Sequence, residues 1–166
     1  MTPVFPTGYY DAGDYIKFGF PMASMTTLIA WGGISYKRGY ERACEYNNLK
    51  TMVKWATDYF IASHTAPNEY IGQIGNGKLD HDFWGRPEDM RMQRPAYKIS
   101  PANPGSDLAG ETAAALAAAS VLFKTDNPAY ADICLSHAKG LFKFAMAYKG
   151  KYSDSIKDAD KYYRSS

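Results

Sequence analysis

The sequence has little of what usually gives a function away. It holds two cysteines, Cys44 and Cys134, and three histidines, His64, His81 and His137. None stand at the close spacings of a zinc site, and two thiols make no disulfide framework. A single bridge between Cys44 and Cys134 stays open. No apolar run approaches the roughly 20 residues of a membrane span. The opening Met1-Thr2-Pro3-Val4-Phe5-Pro6 lacks the basic-then-apolar layout of a signal peptide. The sequence as it stands is therefore expected to be soluble, with no membrane partner. Basic and acidic residues are interleaved and the net charge is only +2, so there is no basic stripe to track a nucleic acid. Also missing are a G-x-S-x-G elbow, a Walker loop, a dinucleotide fingerprint and a Cys-His nucleophile signature. The enzyme classes that carry those motifs are excluded with them.

Aromatics, in contrast, are abundant: 14 Tyr, 8 Phe and 3 Trp make up 15% of 166 residues. Such an excess serves core packing or stacking on a flat-faced ligand. An apolar content of 46% is enough for one packed domain. Pro21 suits a first helical turn, and Met22, Met25, Leu28, Ile29, Gly32 and Tyr36 follow at helical spacing, with Gly39 as a stop. A second helix carries Leu49, Met52, Val53, Ala56, Tyr59 and Phe60, with Asn47 or Asn48 as cap and an end near His64. From Thr65 to Pro104 glycine and proline break the pattern. Yet this stretch holds Tyr70, Ile71, Phe83, Trp84, Met90, Met92 and Tyr97, too many large apolar groups for a solvated linker. It reads as an ordered, surface-lining loop with at most short strand pieces. Pro104-Gly105-Ser106-Asp107 offers a turn and cap before an alanine-rich helix, Leu108 to Phe123. Asp126-Asn127-Pro128 opens another, with Tyr130, Ile133, Cys134, Ala138, Leu141, Phe142, Ala145 and Tyr148 on one face and Gly150 as its stop. No set of alternating strands is convincing. The class is all-α, with helices in antiparallel pairs around one long ordered loop.

Two stretches could carry chemistry. In Tyr9-Tyr10-Asp11-Ala12-Gly13-Asp14-Tyr15, two carboxylates at i and i+3 can share a side if the segment turns or starts a helix. Ala12 and Gly13 leave open space, Gly13 lets the backbone bend, and rings such as Tyr10 offer faces for stacking. That combination suits activation of a water beside a sugar. A plainer account makes it a helix-start turn in which one Asp caps. The second stretch runs from Asp80-His81-Asp82-Phe83-Trp84 through Gly85-Arg86-Pro87-Glu88-Asp89-Met90. Asp80-His81-Asp82 has the residue types of a metal site, but adjacent residues rarely share one ion and no zinc-spaced partner exists. Sugar binding explains more: Trp84 stacks, His81 and Arg86 donate to hydroxyls, and the acids orient the donors. The plainer account pairs Arg86 with Glu88 or Asp89 around a small core made by Trp84. Glu111, His64 and His137 read as ordinary helix residues.

Together these residues form a recognisable pattern. Gly8-Tyr9-Tyr10-Asp11-Ala12-Gly13-Asp14-Tyr15-Ile16-Lys17-Phe18-Gly19-Phe20-Pro21-Met22 resembles the signature segment of glycoside hydrolase family nine. Lys54-Trp55-Ala56-Thr57-Asp58-Tyr59-Phe60 is similar to the helix that follows it there, and Asp80 through Met90 to the active-cleft loop. Arg94-Pro95-Ala96-Tyr97-Lys98-Ile99, Pro104-Gly105-Ser106-Asp107-Leu108-Ala109-Gly110-Glu111, Gly150-Lys151-Tyr152-Ser153-Asp154-Ser155 and Tyr162-Tyr163 continue the likeness in the family's order. The wording Phe-Trp-Gly-Arg-Pro-Glu-Asp-Met looks most like animal members. Thr7 stands where a glycine is usual, and Asn76 where an aspartate often is.

The resemblance implies a cellulase, an endo-β-1,4-glucanase acting with inversion on a β-1,4-glucan, secreted, and built as an (α/α)6 barrel. Residues 1–166 then make up part of one catalytic domain, an incomplete barrel whose first helix and C-terminal half lie outside the sequence. By the same likeness Asp14 is the general base and Asp11 the acid that shares its water. His81 and Trp84 contact sugar, and Tyr163 is an aromatic near the cleavage point. The family's general acid is a Glu in a later motif and has no counterpart here, so these residues alone are expected to be inactive. The alternative is a non-catalytic glucan-binding pseudoenzyme or truncated isoform. No cofactor is expected; the calcium-binding segment of some members follows the Tyr163 motif and is mostly absent. Barrel helices without a neighbour would expose apolar stripes, so the chain is expected to be marginal or to self-associate.

Overall fold

The computed structural model describes residues 5–165 and is mostly helical. Strand β1 (Lys17–Phe18) runs straight into α1 (Gly19–Ser35), followed by α2 (Lys37–Arg42) and α3 (Tyr46–Ser63). Next come β2 (Tyr70–Ile74), α4 (Gly77–His81), a 3-10 turn at Pro87–Asp89 and β3 (Ala96–Ile99). Helices α5 (Ser106–Phe123), α6 (Pro128–Ala147) and α7 (Tyr152–Ser155) and a 3-10 turn at Ala159–Lys161 complete it.

Helix α5 is the centre of the core, packed against α1 and α6 and touching α3. Its buried Ala109, Ala113, Ala115 and Ala119 let neighbouring backbones come close, and Leu108, Leu116, Leu122 and Phe123 fill the gaps. Gly33 is where α1 meets both neighbours: a Cβ there would lie 2.5 Å from Leu49 Cδ2 and 3.3 Å from Leu122 Cδ1. Asn127 caps α6 by accepting from the Tyr130 N–H at 3.2 Å, with Pro128 in the first turn, as the sequence predicts. Other boundaries move. Helix α1 begins before Pro21 and ends at Ser35, and Gly39 lies inside the separate α2. Helix α3 starts at Tyr46, so neither Asn47 nor Asn48 caps it. Cys44 and Cys134 are both free, the first exposed and the second buried.

The fold is mostly helical, as expected, but not helical throughout. Three strands form an antiparallel sheet in the order β1-β2-β3, with Lys17 opposite Ile74, Phe18 opposite Gln73 and Tyr70 opposite Ile99. The expectation of no convincing strands fails for a physical reason. All of β2 is buried, and a strand covered on both sides shows no polar-apolar alternation. Gly72 breaks the register between Ile71 and Gln73. A Cβ there would lie 2.5 Å from Leu108 Cδ2 and 2.8 Å from Ile156 Cδ1, so β2 presses directly on the start of α5. Because β1 and β2 run antiparallel, the segment before β1 and the segment after β2 leave the sheet at the same end. That places Asp11 and Asp14 beside the 75–95 stretch.

Candidate active site

The Asp11–Asp14 segment is a closed turn. The Asp14 N–H donates to the Asp11 carbonyl at 2.8 Å, and the Asp11 N–H to the Ile16 carbonyl at 2.9 Å. The left-handed residue is Ala12, at φ 45°, and not Gly13. An l-side chain held there costs about 1–2 kcal/mol. Gly13 instead leaves space, since a Cβ added to it would meet nothing within 4 Å. The helix-start account is excluded: α1 begins at Gly19, its N-cap is Phe18, and no side chain caps it. Neither aspartate serves a helix.

Each carboxylate has its own partner from a distant part of the chain. Asp11 Oδ2 accepts from the Tyr163 hydroxyl at 2.7 Å. Burial, then the bond to Asp11 and the charges of Asp11 and Asp14, push that hydroxyl up to about 12. It therefore stays a donor at any ordinary pH. Asp14 Oδ1 lies 3.3 Å from His81 Nε2, and the His81 ring meets the Tyr162 ring edge-on at 5.2 Å. Beside Asp14 opens a depression of about 640 Å3 that reaches Gly13, Tyr15, Phe83, Trp84 and Arg86. Trp84 is fully exposed at 101%, so it is no core for this loop. Arg86 pairs with neither Glu88 nor Asp89 among the described residues. The loop-pinning account therefore fails for both, and their side chains are free to face a ligand. Tyr10 is half-exposed, with Lys17 Nζ 5.1 Å and Arg94 Cζ 5.4 Å from its ring centre.

The Asp80-His81-Asp82 run does not converge on one point. Asp82 pairs with Lys78, and Asp14 takes its place: Asp14, Asp80 and His81 offer one ligand atom each within 4.8 Å of one another. These three could hold a cation. They are also held apart from solvent unequally, since Asp80 is buried while His81 is half-exposed. Burial, and next the Asp14 charge, raise the Asp80 carboxyl above the usual range; the Tyr15 N–H, His81 and Arg94 oppose them.

Several residues around the site were not singled out by the sequence. Tyr15 is tied at all three of its polar groups. Its N–H donates to Asp80 Oδ1 at 2.9 Å, its hydroxyl donates to the Gly85 carbonyl at 2.6 Å, and its carbonyl accepts from Arg94. Lys17 is buried in β1 with its ammonium donating to the carbonyls of Phe5 at 2.9 Å and Thr7 at 2.6 Å. Burial, then Arg94, lowers its pKa. Thr7, where a glycine is usual, needs no left-handed backbone. Asp158 accepts from Gln73 Nε2 at 2.6 Å, Gly77 N at 2.8 Å and Asn76 Nδ2 at 3.0 Å. It thereby ties the start of α4 to the segment that presents Tyr163. The Asn76 amide also donates to the Tyr97 hydroxyl at 3.0 Å, and its carbonyl oxygen caps α4. A carboxylate could not donate to Asp158, which accounts for Asn at this position. A buried lysine in a strand is the one advance signal among these. The others act across distances in sequence from 21 residues, for Asn76 to Tyr97, up to 85, for Gln73 to Asp158.

The chain as a whole is similar to known proteins. Residues 5–166 match the family model described as glycosyl hydrolase family 9. Endoglucanase 6 of Arabidopsis thaliana is 54% identical over 158 residues, 95% of this chain and 26% of that protein. Endoglucanase B of Cellulomonas fimi is 51% identical over 158 residues, again 95% of this chain but 15% of its own length. The structure of an endoglucanase from the termite Nasutitermes takasagoensis superposes with a TM-score of 0.95 at 58% identity, over 96% of this chain and 37% of that one. Endoglucanase CelQ of Clostridium thermocellum, solved with cellotetraose, aligns with a TM-score of 0.82 at 32% identity over 94% of this chain and 24% of its own. The chain thus spans about a quarter of the plant relative. With a family model covering all but the first four residues, and with relatives above half identical, the chain belongs to glycosyl hydrolase family 9.

Proposed function

We propose that this chain carries the water-activating half of the active site of an inverting endo-β-1,4-glucanase, within part of an (α/α)6 barrel. The observation that carries the proposal is the closed turn with its two separately held carboxylates, Asp11 by Tyr163 and Asp14 by His81, opening on the Trp84–Arg86 depression. In an inverting hydrolysis, Asp14 takes a proton from water as the oxygen attacks the anomeric carbon, opposite the leaving sugar. Asp11 accepts the water's second hydrogen and aligns its lone pair. The leaving oxygen is protonated by an acid about 6.5–9.5 Å from the base, which by family likeness is a Glu outside residues 1–166. Trp84 and Tyr10 stack on glucose rings, Arg86 donates to hydroxyls, and His81, whose Nε2 is turned to Asp14, meets the sugar with the rest of its ring. No cofactor is assigned to this chemistry. By family likeness the protein works outside the cell; among the described residues no helix is long and apolar enough to cross a membrane.

The test uses a protein that carries this segment together with the rest of its catalytic domain. Asp14→Asn should lower kcat on carboxymethylcellulose by about 10²–10⁴-fold, the usual contribution of general base catalysis, while cellotetraose still binds. Proton NMR of the first product should show the α-anomer; a β-anomer would rule out inversion. Residues 1–166 alone should release no reducing sugar above a D14N control. The full exposure of Trp84 also favours a second reading, a glucan-binding protein without turnover. Cellotetraose binding that is lost in Trp84→Ala, with no hydrolysis by the longer protein, would select it.

A further inference from the structure

We infer that Asp80 is a positioning residue for Asp14, fixing the peptide bond that joins Asp14 to Tyr15 while its neighbour His81 fixes the Asp14 side chain. The inference rests on Asp14 acting as the general base.

The Tyr15 N–H belongs to the peptide made by the Asp14 carbonyl carbon, and it donates to Asp80 Oδ1 at 2.9 Å. His81 Nε2 lies 3.3 Å from Asp14 Oδ1. Two consecutive residues at the end of α4 therefore hold the base by its backbone and by its carboxylate. Helix α4 is itself anchored by the Asn76 cap and by Asp158. The preceding residue, Gly13, has open space around it, so that side of the turn offers no packing to hold Asp14. The grip comes from the Asp80 side. Asp80 is only 5% exposed and stands within ligand distance of a second carboxylate. A buried carboxylate is costly unless it is hydrogen-bonded and paired, and a neutral acceptor would serve a purely structural bond. What the charge adds is a stronger bond to the N–H, with Arg94 and His81 offsetting its repulsion by Asp14. A displacement of about 1 Å can cost 10²-fold in rate, so a base on a turn with one open flank depends on such a hold.

The test again uses a protein that carries this segment with the rest of its catalytic domain, and reads kcat, KM and cellotetraose binding stoichiometry. Asp80→Ala removes the acceptor and should lower kcat by about 10–10²-fold, with KM within about threefold and stoichiometry unchanged. Asp80→Asn keeps an acceptor oxygen but loses the charge, and should recover only part of that loss. If the alanine variant does not fold, Asp80→Ser, whose hydroxyl is too short to span to the Tyr15 N–H, takes its place. Equal losses in the Asn and Ala variants, an unchanged kcat in Ala, or a loss matched by falling stoichiometry would each overturn the inference. If Asp14→Asn itself leaves kcat intact, the fault lies with the base assignment, and the inference falls with it.

Discussion

Tyr163 and Gly77 show how much of the site is held by single contacts. The Tyr163 hydroxyl gives Asp11 its one side-chain donor among the described residues. Tyr163→Phe keeps the ring and removes that bond. A hydrogen bond to a charged group contributes about 1.5–3 kcal/mol, so kcat should fall roughly 10–10²-fold, measured in the longer protein with cellotetraose affinity as control. Gly77 is needed for close approach: a Cβ there would lie 2.3 Å from Tyr162 Cε2 and Oη. Gly77→Ala must displace the ring that packs on His81. It should destabilise the chain by about 1–3 kcal/mol, seen as a lower urea midpoint. At this scale the sequence picks out Asp14, His81, Trp84 and Arg86 by residue type and spacing, and the structure brings them around one depression. Tyr15, Arg94 and Asp158 were not legible. Their importance lies in which distant group each one meets, and a tyrosine tied at three points looks like any other in a sequence with 14 of them.

Among the elements, α3 and α6 are joined by an uncommon pair. His64, at the end of α3, and His137 of α6 face each other with Nδ1 atoms 3.0 Å apart, so only one can donate to the other. Burial lowers both from their ordinary 6.5; for His64 the His137 charge adds to this, and the Pro67 and Ala66 carbonyls oppose it. The unfolded chain therefore takes protons first as pH falls, and stability rises with pH across the interval between the folded values and 6.5. The urea midpoint should hold steady well above pH 6.5 and fall as the pH drops below it; His137→Gln should flatten that fall. The helices themselves were largely legible, because 3.6-residue periodicity survives burial of one face. The register of α6 was only half right. Of the face read from the sequence, Cys134, Ala138, Leu141 and Ala145 are buried, but Ile133 and Phe142 turn outward, and Tyr148 lies just past the helix end. Of the sheet, β2 and β3 are the short strand pieces expected within the 65–104 stretch, while β1, with two residues, and the pairing of all three were illegible.

For the molecule as a whole, the main observation is what lies uncovered. Helix α1 is apolar all round: Met22, Ala23 and Ala30 enter the core, while Met25, Leu28 and Trp31 are more than half exposed on the other side. A helix of that kind is built to be covered twice. Trp55 and Met52 of α3 and Phe142 and Met146 of α6 add further exposed apolar groups. The chain spans 26% of the Arabidopsis relative. Prepared as residues 1–166, the chain should associate through these faces in sedimentation velocity, increasingly with concentration. Trp31→Glu together with Phe142→Glu should shift it toward monomer. A monomer at all concentrations in the unmodified chain would count against this.

By itself the sequence determined the family, the main helices, and the two stretches, around Asp11–Asp14 and Asp80–Met90, that line the depression. These are written locally, in periodicity, in turn residues and in short runs whose chemistry does not depend on what they touch. Only the tertiary structure decided that Asp11 and Asp14 cap no helix, that Ala12 and not Gly13 takes the left-handed turn, and that each aspartate is held by a different distant segment. The Asp14 pairing depends on an antiparallel sheet that brings residues 8–16 to residues 75–95, and the Asp11 pairing on the segment that presents Tyr163. Pairing across such separations is set by packing energy over the whole core and leaves no mark on either segment alone.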